Sequence, residues 1–320
     1  MKQVNLQNKP IVGVVLMTYG SATVAEHVSE YLNKIYKNKA SVELIVDFEK
    51  RYRLVGSSPL VAITKAQAVA LEAYLGEGFV VRAGMRHSAP TIAEAVGECK
   101  AAGATLLVGI ILSPQFSSFI MDGYKSAFIE AGKVEGFDEK NLHVAQPWPT
   151  EKYFIQLVAS RVVESLAALK KTYGVSAPVV FTTHSLPQRV VERDPNYLKQ
   201  LSKTIAAVRE KLPQEVEWYA GYQSAGHSPE EWLKPDLVDI LKSLSEKRDP
   251  AVLIAPIQFL SDHLEVLYDL DIAAREQCES FGIAYHRIEL PNTHPLFIKG
   301  LGELVENISP PTPSLHKSDL

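Results

Sequence analysis

Two short segments carry side chains able to handle a proton or a metal ion. His184 stands in Phe181–Pro187 (FTTHSLP), at the end of an apolar run and just before a proline. Farther on, Ser261–Asp269 (SDHLEVLYD) offers His263, Glu265 and Asp269. Glu265 and Asp269 are four residues apart, so they share one face of a helix near its start. A neutral imidazole is both a base with pKa about 6.5 and a ligand for divalent transition metals. A carboxylate beside such a ring adds charge for a metal and a route for departing protons. Each segment also has a plain reading. A strand-end histidine can simply hydrogen-bond in a turn, an acidic face is favoured by a helix dipole, Asp262 fits an ordinary N-cap, and His263 orients its loop.

The elements that must position these groups follow from the apolar pattern. Ile11–Met17 is nearly continuous apolar, as in a strand buried on both faces. Further strands are expected at Phe79–Arg82, Thr105–Leu112, Leu142–Ala145, Pro178–Thr183, Val216–Tyr222, Val252–Ile257 and Ile283–Arg287. Helical spacing fills the intervals: after a capping box at Thr23–Glu26, then Thr64–Leu75, after Pro90, Ser118–Ala131, Tyr153–Lys170, Asn196–Leu212, Leu237–Leu244, one long helix Asp262–Phe281, and Pro295–Glu306. Alternation of this kind implies α/β architecture: two similar Rossmann-like domains, each a roughly four-stranded parallel sheet flanked by helices. The boundary is expected near the turn residues PWPT, giving domains 1–148 and 149–308, with the last helix able to pack on the first domain. The Pro/Ser-rich tail 309–320 reads as disordered.

The chain has 320 residues, long enough for two cores at roughly 150 residues per domain. A formal net charge of −4 argues against nucleic-acid binding through bulk positive charge. No apolar run reaches the roughly 18 residues of a membrane span, and no signal core is seen, so at most peripheral membrane contact is expected. Two cysteines, Cys99 and Cys278, cannot by themselves ligate a four-cysteine iron–sulfur cluster. A cytoplasmic location is the simplest expectation. There is no Gly-x-Gly-x-x-Gly after the first strand and no Gly-x-x-x-x-Gly-Lys, which weakens the nucleotide-binding readings of such a sheet. Ligands of open parallel sheets bind beyond the carboxyl ends of the strands. The residues there include Tyr19, Arg86, His87, Gln115, His184, Gln223 and Gln258.

Taken together the segments resemble one family, the ferrochelatases, over nearly the whole chain and in order. His184–Pro187 followed by Asp194–Pro195 looks like the family's HSLP…DP segment. Tyr222–Ser224 with Trp232–Pro235 looks like its QS…WLxP segment. Ser261–Tyr268 with Asp271 looks like its SDHxE signature, and Leu290–Asn292 with Pro295 and Phe297 like its closing segment. Ser58–Leu60 and Ser113–Ser117 also fit. The start Met17–Gly20 (MTYG) looks like that of the coproporphyrin-using branch.

The resemblance implies an enzyme that inserts Fe2+ into a porphyrin, coproporphyrin III before protoporphyrin IX, as a step of haem biosynthesis. It implies His184 and Glu265 as the metal-side catalytic pair, Tyr19 facing the metal from the opposite side, and Asp269 extending an acidic track. It carries porphyrin-binding roles onto Tyr19, Arg51, Tyr52, Ser58 and Tyr124, although Arg51 and Tyr52 also read as part of a solvated charged stretch. Two departures stand out: Tyr36 holds a place that is arginine in close relatives, and Ala273 one that is often acidic. No resident cofactor and no iron–sulfur cluster are expected; porphyrin and ferrous iron are the partners, and the protein is expected to be a monomer. The competing readings are a related chelatase using Co2+ or Ni2+ on another tetrapyrrole, a non-catalytic haem or tetrapyrrole carrier, and a two-domain nucleotide or solute binder.

Overall fold

The computed structural model describes residues 10–226 and 229–308. The first sheet is built from β1 (Ile11–Thr18), β2 (Phe79–Met85), β3 (Ala104–Ile111) and β4 (Leu142–Val144), in the order β2-β1-β3-β4. The second is built from β5 (Val179–His184), β6 (Trp218–Gln223), β7 (Ala251–Pro256) and β8 (Ala284–Arg287), in the equivalent order β6-β5-β7-β8. Every pairing is parallel. The helices are α1 (Val28–Ile35), α2 (Val42–Val55), α3 (Leu60–Leu75), α4 (Ile92–Ala101), α5 (Ser118–Val134), α6 (Lys152–Tyr173), α7 (Gln188–Arg193), α8 (Asn196–Arg209), α9 (Leu237–Lys247), α10 (Arg275–Ser280) and α11 (Pro295–Glu306). The tail expected to be disordered lies outside the described residues.

Strand alternation divides the core. Val14 and Leu16 of β1 face one cluster, while Val15 and Met17 face another beneath α4 and α5. In the second sheet Val179 and Phe181 turn to the same cluster as Val14 and Leu16, whereas Val180 turns toward α9 and α10. One apolar body therefore runs from β1 through α6 to β5 and β7. α11 closes it against α3 and α6 through Phe297, Ile298, Leu301 and Val305, an amphipathic spacing that puts all four on one side. Among the described residues no single helix is long and apolar enough to cross a membrane.

Three local expectations are corrected. Thr23 does not cap a helix: Val24 precedes a single 3-10 turn at Ala25–His27 with no side-chain cap. The capping box forms instead at Thr91 and Glu94, where side chain and backbone bond reciprocally. The segment around Glu49–Arg53 is the middle of α2, whose start is capped by Ser41 accepting from the Leu44 amide. The long helix expected at Asp262–Phe281 is not uniform: after Leu264 and Glu265 it widens into a π-helical stretch, Val266–Ala274, before tightening into α10. Wide turns of this kind occur mostly at functional sites.

Phe297 is 1% exposed and stacks near Trp148, with ring centroids 6.3 Å apart. Phe297→Ala is expected to destabilise the fold by about 3–5 kcal/mol. Urea denaturation followed by circular dichroism reads this as a lower midpoint with native far-ultraviolet signal retained in buffer.

Candidate active site

His184 is the last residue of β5, and Glu265 precedes the π-helical stretch; His184 Nε2 lies 3.4 Å from Glu265 Oε2. His184 Nδ1 approaches the Ser185 carbonyl oxygen at 2.5 Å. A carbonyl only accepts, so Nδ1 carries the hydrogen, and in the neutral ring Nε2 turns its lone pair to the carboxylate. Two acceptors facing each other at this distance repel unless a proton or a metal ion sits between them. A pair of this geometry is able to hold a proton or a metal ion between its atoms. Among the described residues no group of three His, Cys, Asp or Glu is arranged to hold a metal ion.

The strand end is fixed from behind. The His184 amide donates to Gln258 Oε1 (2.9 Å), Gln258 Nε2 donates to the Tyr197 hydroxyl (3.0 Å), and that hydroxyl donates to the His184 carbonyl (3.3 Å). Phe259 packs edgewise on both His184 and His263, at 6.4 and 4.5 Å between ring centroids. His263 bonds the Ser261 carbonyl through Nδ1, and burial holds its pKa below the usual histidine value. It lies 3.9 Å from Glu265 and orients the turn.

A second network fixes the carboxylate side. Asp262, expected as an N-cap, is not one. Its carboxylate accepts from Asn292 Nδ2 (2.8 Å) and faces Arg287 Nη2 (3.4 Å), while its amide donates to Asn292 Oδ1 (3.0 Å). Arg287 grips Asp271 of the π-helical stretch through two bonds of 2.7 Å. From the other half of the chain, Gln67 of α3 donates to the Asn292 carbonyl (2.8 Å) and to Ser261 Oγ (2.9 Å). The turn that carries His263 and Glu265 is therefore held on both sides by polar side chains.

The opposite wall is built from the first sheet. Tyr19 follows β1 and is 42% exposed. Partial burial raises its phenol pKa, the Arg86 charge works the other way, and the Glu265 charge adds to the rise. Gly20 turns the chain away with φ +86°, where a Cβ would meet Ser88 Oγ at 2.4 Å; only glycine suits this bend. The Tyr31 hydroxyl donates to the Gly20 carbonyl at 2.8 Å. His87 packs on Tyr19 with centroids 4.5 Å apart, and Arg86 lies over Tyr124 at 5.5 Å. The sequence left Arg86 and His87 without a role. Their signal was position: they follow β2 as Tyr19 follows β1. Burial and the Arg86 charge lower the His87 pKa to about 4, so its ring is neutral near pH 7.

The remaining expected residues divide. Arg51 of α2 pairs through Nε with Asp47 (2.8 Å) and through Nη1 with Asp269 (3.3 Å), over the ring of Tyr268 at 4.8 Å. Ser224 Oγ donates to the other Asp269 oxygen. Burial raises the Asp269 pKa, against the influence of Ser224 and Arg51. Reading Arg51 and Tyr52 as a solvated charged stretch is corrected, because both belong to packed structure. Tyr52 is 1% exposed, its hydroxyl donates to the Ala22 carbonyl (2.9 Å), and burial pushes its phenol up to about 12. Ser58 is buried with an unpartnered Oγ, Tyr124 is buried beneath Arg86, Tyr36 stands exposed at the end of α1, and Ala273 is half-buried. The structure thus brings together His184, Glu265, Asp269 and Arg51, and separately Tyr19, Arg86 and Tyr124. It turns Tyr52 inward.

The ferrochelatase family model matches residues 11–308. The coproporphyrin III ferrochelatase of Anoxybacillus flavithermus is 35% identical over 309 residues, covering 94% of this chain and 97% of that one. The enzyme of the same name from Bacillus subtilis is 33% identical over 302 residues, covering 92% and 96%. Among solved structures, SirB from Bacillus subtilis with Fe3+ aligns with a TM-score of 0.57 at 12% identity over 93% of this chain and 95% of that one. CbiX, a terminal enzyme of siroheme biosynthesis in denitrifying bacteria, aligns at 0.54 and 12% over 94% and 100%. At such identities these two show a shared fold.

Arg287→Ala leaves Asp271 and Asp262 without their cation in a site where the arginine is 13% exposed. The loss is expected to be about 3 kcal/mol in urea unfolding, as for a partly buried pair stripped of one member. His87 gives a pH signature. Its folded pKa lies below the unfolded value, so its neutral ring stabilises the fold above about pH 6.5, and the contribution fades as pH falls toward 4. His87→Gln is therefore expected to lose less Tm than the wild type between about pH 7 and about pH 4.5.

Proposed function

The chain belongs to the ferrochelatase family, and from that premise we propose that it inserts Fe2+ into coproporphyrin III, with His184 and Glu265 as the residues that act on the metal and the pyrrole protons. The observation that carries this reading is His184 Nε2 standing 3.4 Å from the Glu265 carboxylate. Metallation exchanges one Fe2+ for two pyrrole protons. The pair supplies both halves of that exchange: a nitrogen and an oxygen ligand for a metal shedding water, and two basic atoms for the protons. Ferrous iron is a substrate passing through the site. Tyr19, on the wall that faces Glu265, is the phenol that meets the metal from the far side of the macrocycle.

A porphyrin held between Tyr19 and the His184–Glu265 pair would find aromatic and polar groups on both of its faces. Turning the pyrrole lone pairs toward the metal distorts the ring at a cost of roughly 1–5 kcal/mol, supplied by contacts elsewhere on the substrate. Arg51, Ser58 and Tyr124 are the anchors proposed for substrate carboxylates; Tyr52 supports them by fixing the loop at Ala22. Arg86 joins this set because its charge acts on Tyr19 and its guanidinium lies over the ring of Tyr124. Asp269 continues the acidic track from Glu265. Both its oxygens are engaged, so passage that way opens a contact to Arg51 or Ser224. Cys99 and Cys278 are buried in separate clusters, which supports an enzyme with no iron–sulfur cluster. The same reading has the protein act as a cytoplasmic monomer with no resident cofactor.

His184→Ala is expected to lower the rate of iron insertion by about 10²–10⁴-fold while porphyrin binding persists. Anaerobic absorbance assays of the folded variant check this; near-normal turnover overturns the assignment. In the same assay coproporphyrin III is expected to exceed protoporphyrin IX in kcat/KM by at least about tenfold, since each charged hydrogen bond contributes about 1.5–3 kcal/mol. Equal values would place the enzyme in the protoporphyrin-using branch.

A further inference from the structure

Arg51 is already occupied. Its Nε holds Asp47 at 2.8 Å, its Nη1 holds Asp269 at 3.3 Å, and its plane rests on Tyr268. The side chains of Arg51 and Asp269 are 21% and 17% exposed, so neither charge is well solvated. Asp47 and Arg51 lie on one helix four residues apart, and that contact moves with α2. The contact to Asp269 is different. It joins α2 to the π-helical stretch, and Asp269 is one turn beyond Glu265. Each fork of the guanidinium has one donor engaged, Nε by Asp47 and Nη1 by Asp269, so a further carboxylate can take a whole fork only by displacing one of them.

We propose that Arg51 is an exchangeable anchor: a substrate propionate takes Nη1 from Asp269, and porphyrin binding thereby frees a carboxylate beside Glu265 just when a divalent cation is required there. The inference rests on the porphyrin reading above. The exchange balances in charge. One carboxylate leaves the guanidinium and another arrives, Arg51 keeps Asp47, and Asp269 keeps its bond from Ser224. The freed Asp269 oxygen then lacks its cation in a partly buried position, four residues beyond Glu265. Cation binding at this carboxylate pair must, by reciprocity, strengthen porphyrin binding by the same factor. Without a substrate carboxylate the arginine neutralises Asp269 and the acidic track stays closed.

Fluorescence titration with coproporphyrin III, metal-free, on the full chain tests the exchange in a double-mutant cycle. Asp269→Asn removes the competitor and is expected to tighten the Kd about fivefold in the wild-type background, but to change it by less than about 1.5-fold in an Arg51→Gln background. Simple repulsion of propionate by Asp269 predicts the same tightening in both backgrounds, and that additive result overturns the proposal. Coproporphyrin tetramethyl ester, which has no carboxylate to exchange, is expected to bind wild type and Asp269→Asn alike; a difference overturns it too. Failure of the wild type to bind coproporphyrin III at all overturns the porphyrin reading, and the exchange with it. Where a variant does not fold, a crystal structure of the wild-type complex decides. Arg51 Nη1 on a propionate supports the exchange, and Nη1 still on Asp269 overturns it.

Discussion

A ring nitrogen with a lone pair and a carboxylate oxygen, held 3.4 Å apart, push one another away unless something positive lies between them. Most of the polar architecture around His184 and Glu265 serves to resist that repulsion. Left to solvent, the two side chains would rotate apart and each would take water. Here the His184 ring is fixed by its bond to the Ser185 carbonyl and by the edge of Phe259. Its backbone is fixed by the circuit through Gln258 and Tyr197. On the other side, Asn292 and Arg287 hold Asp262, and Arg287 holds Asp271, so the turn before Glu265 cannot swing. Preorganised polar groups in a partly dry site act more strongly than the same groups in water, because nothing has to reorganise when the cation arrives.

The same requirement explains why one apolar body joins both sheets. His184 and Glu265 stand at the second sheet and Tyr19 at the first, so the distance between the two groups depends on how firmly the sheets are joined. The shared cluster through α6, together with α11 packed on both α3 and α6, joins the two sheets in one apolar body. Gln67 adds a polar tie between α3 and the Ser261–Asn292 region. By contrast α1 and α2 are attached through a small cluster that includes Leu32, Tyr52 and Leu264, and α2 leaves Val42, Val46 and Leu54 exposed. Fewer buried contacts mean a lower free energy of local opening. The helix that carries Arg51 is thus the part of the wall best placed to adjust to a substrate.

Legibility in the sequence followed physical cause. β1 and β7 were readable because strands covered on both faces must be continuously apolar, and β5 because its apolar first half leads into Thr182–His184. His184 and Tyr19 were readable because parallel strands present their carboxyl-end loops to ligands. α2 was not readable: it is neither apolar on one clean face nor free of exposed valine and leucine, and its polar middle, EKRYR, looks like any charged surface. Thr23 had the composition of a cap, but the chain there makes a single 3-10 turn and its helix starts later. The π-helical stretch left no trace in the pattern, because Val266 and Leu270 are four apart as in an ordinary amphipathic helix. What accompanies the widening is tertiary: Arg51 and Ser224 on Asp269, Arg287 on Asp271.

Charge placement then decides how a cation reaches the pair. The chain is only mildly acidic overall, so long-range attraction is weak and local carboxylates must do the guiding. Along the segment Asp262–Asp271 there are four acidic residues, but they are not equivalent. Asp262 and Asp271 share Arg287 and belong to the support of the turn. Glu265 faces His184, and Asp269 faces Arg51. Ala273 contributes no charge to this segment. The approach to Glu265 through the segment therefore narrows to Asp269, and the state of Asp269 is set by its arginine. A single neutralised carboxylate is a closed approach, and an unpaired one is open. If Arg51 exchanges its partner as proposed, control over metal entry falls on the ion pair that joins α2 to the π-helical stretch.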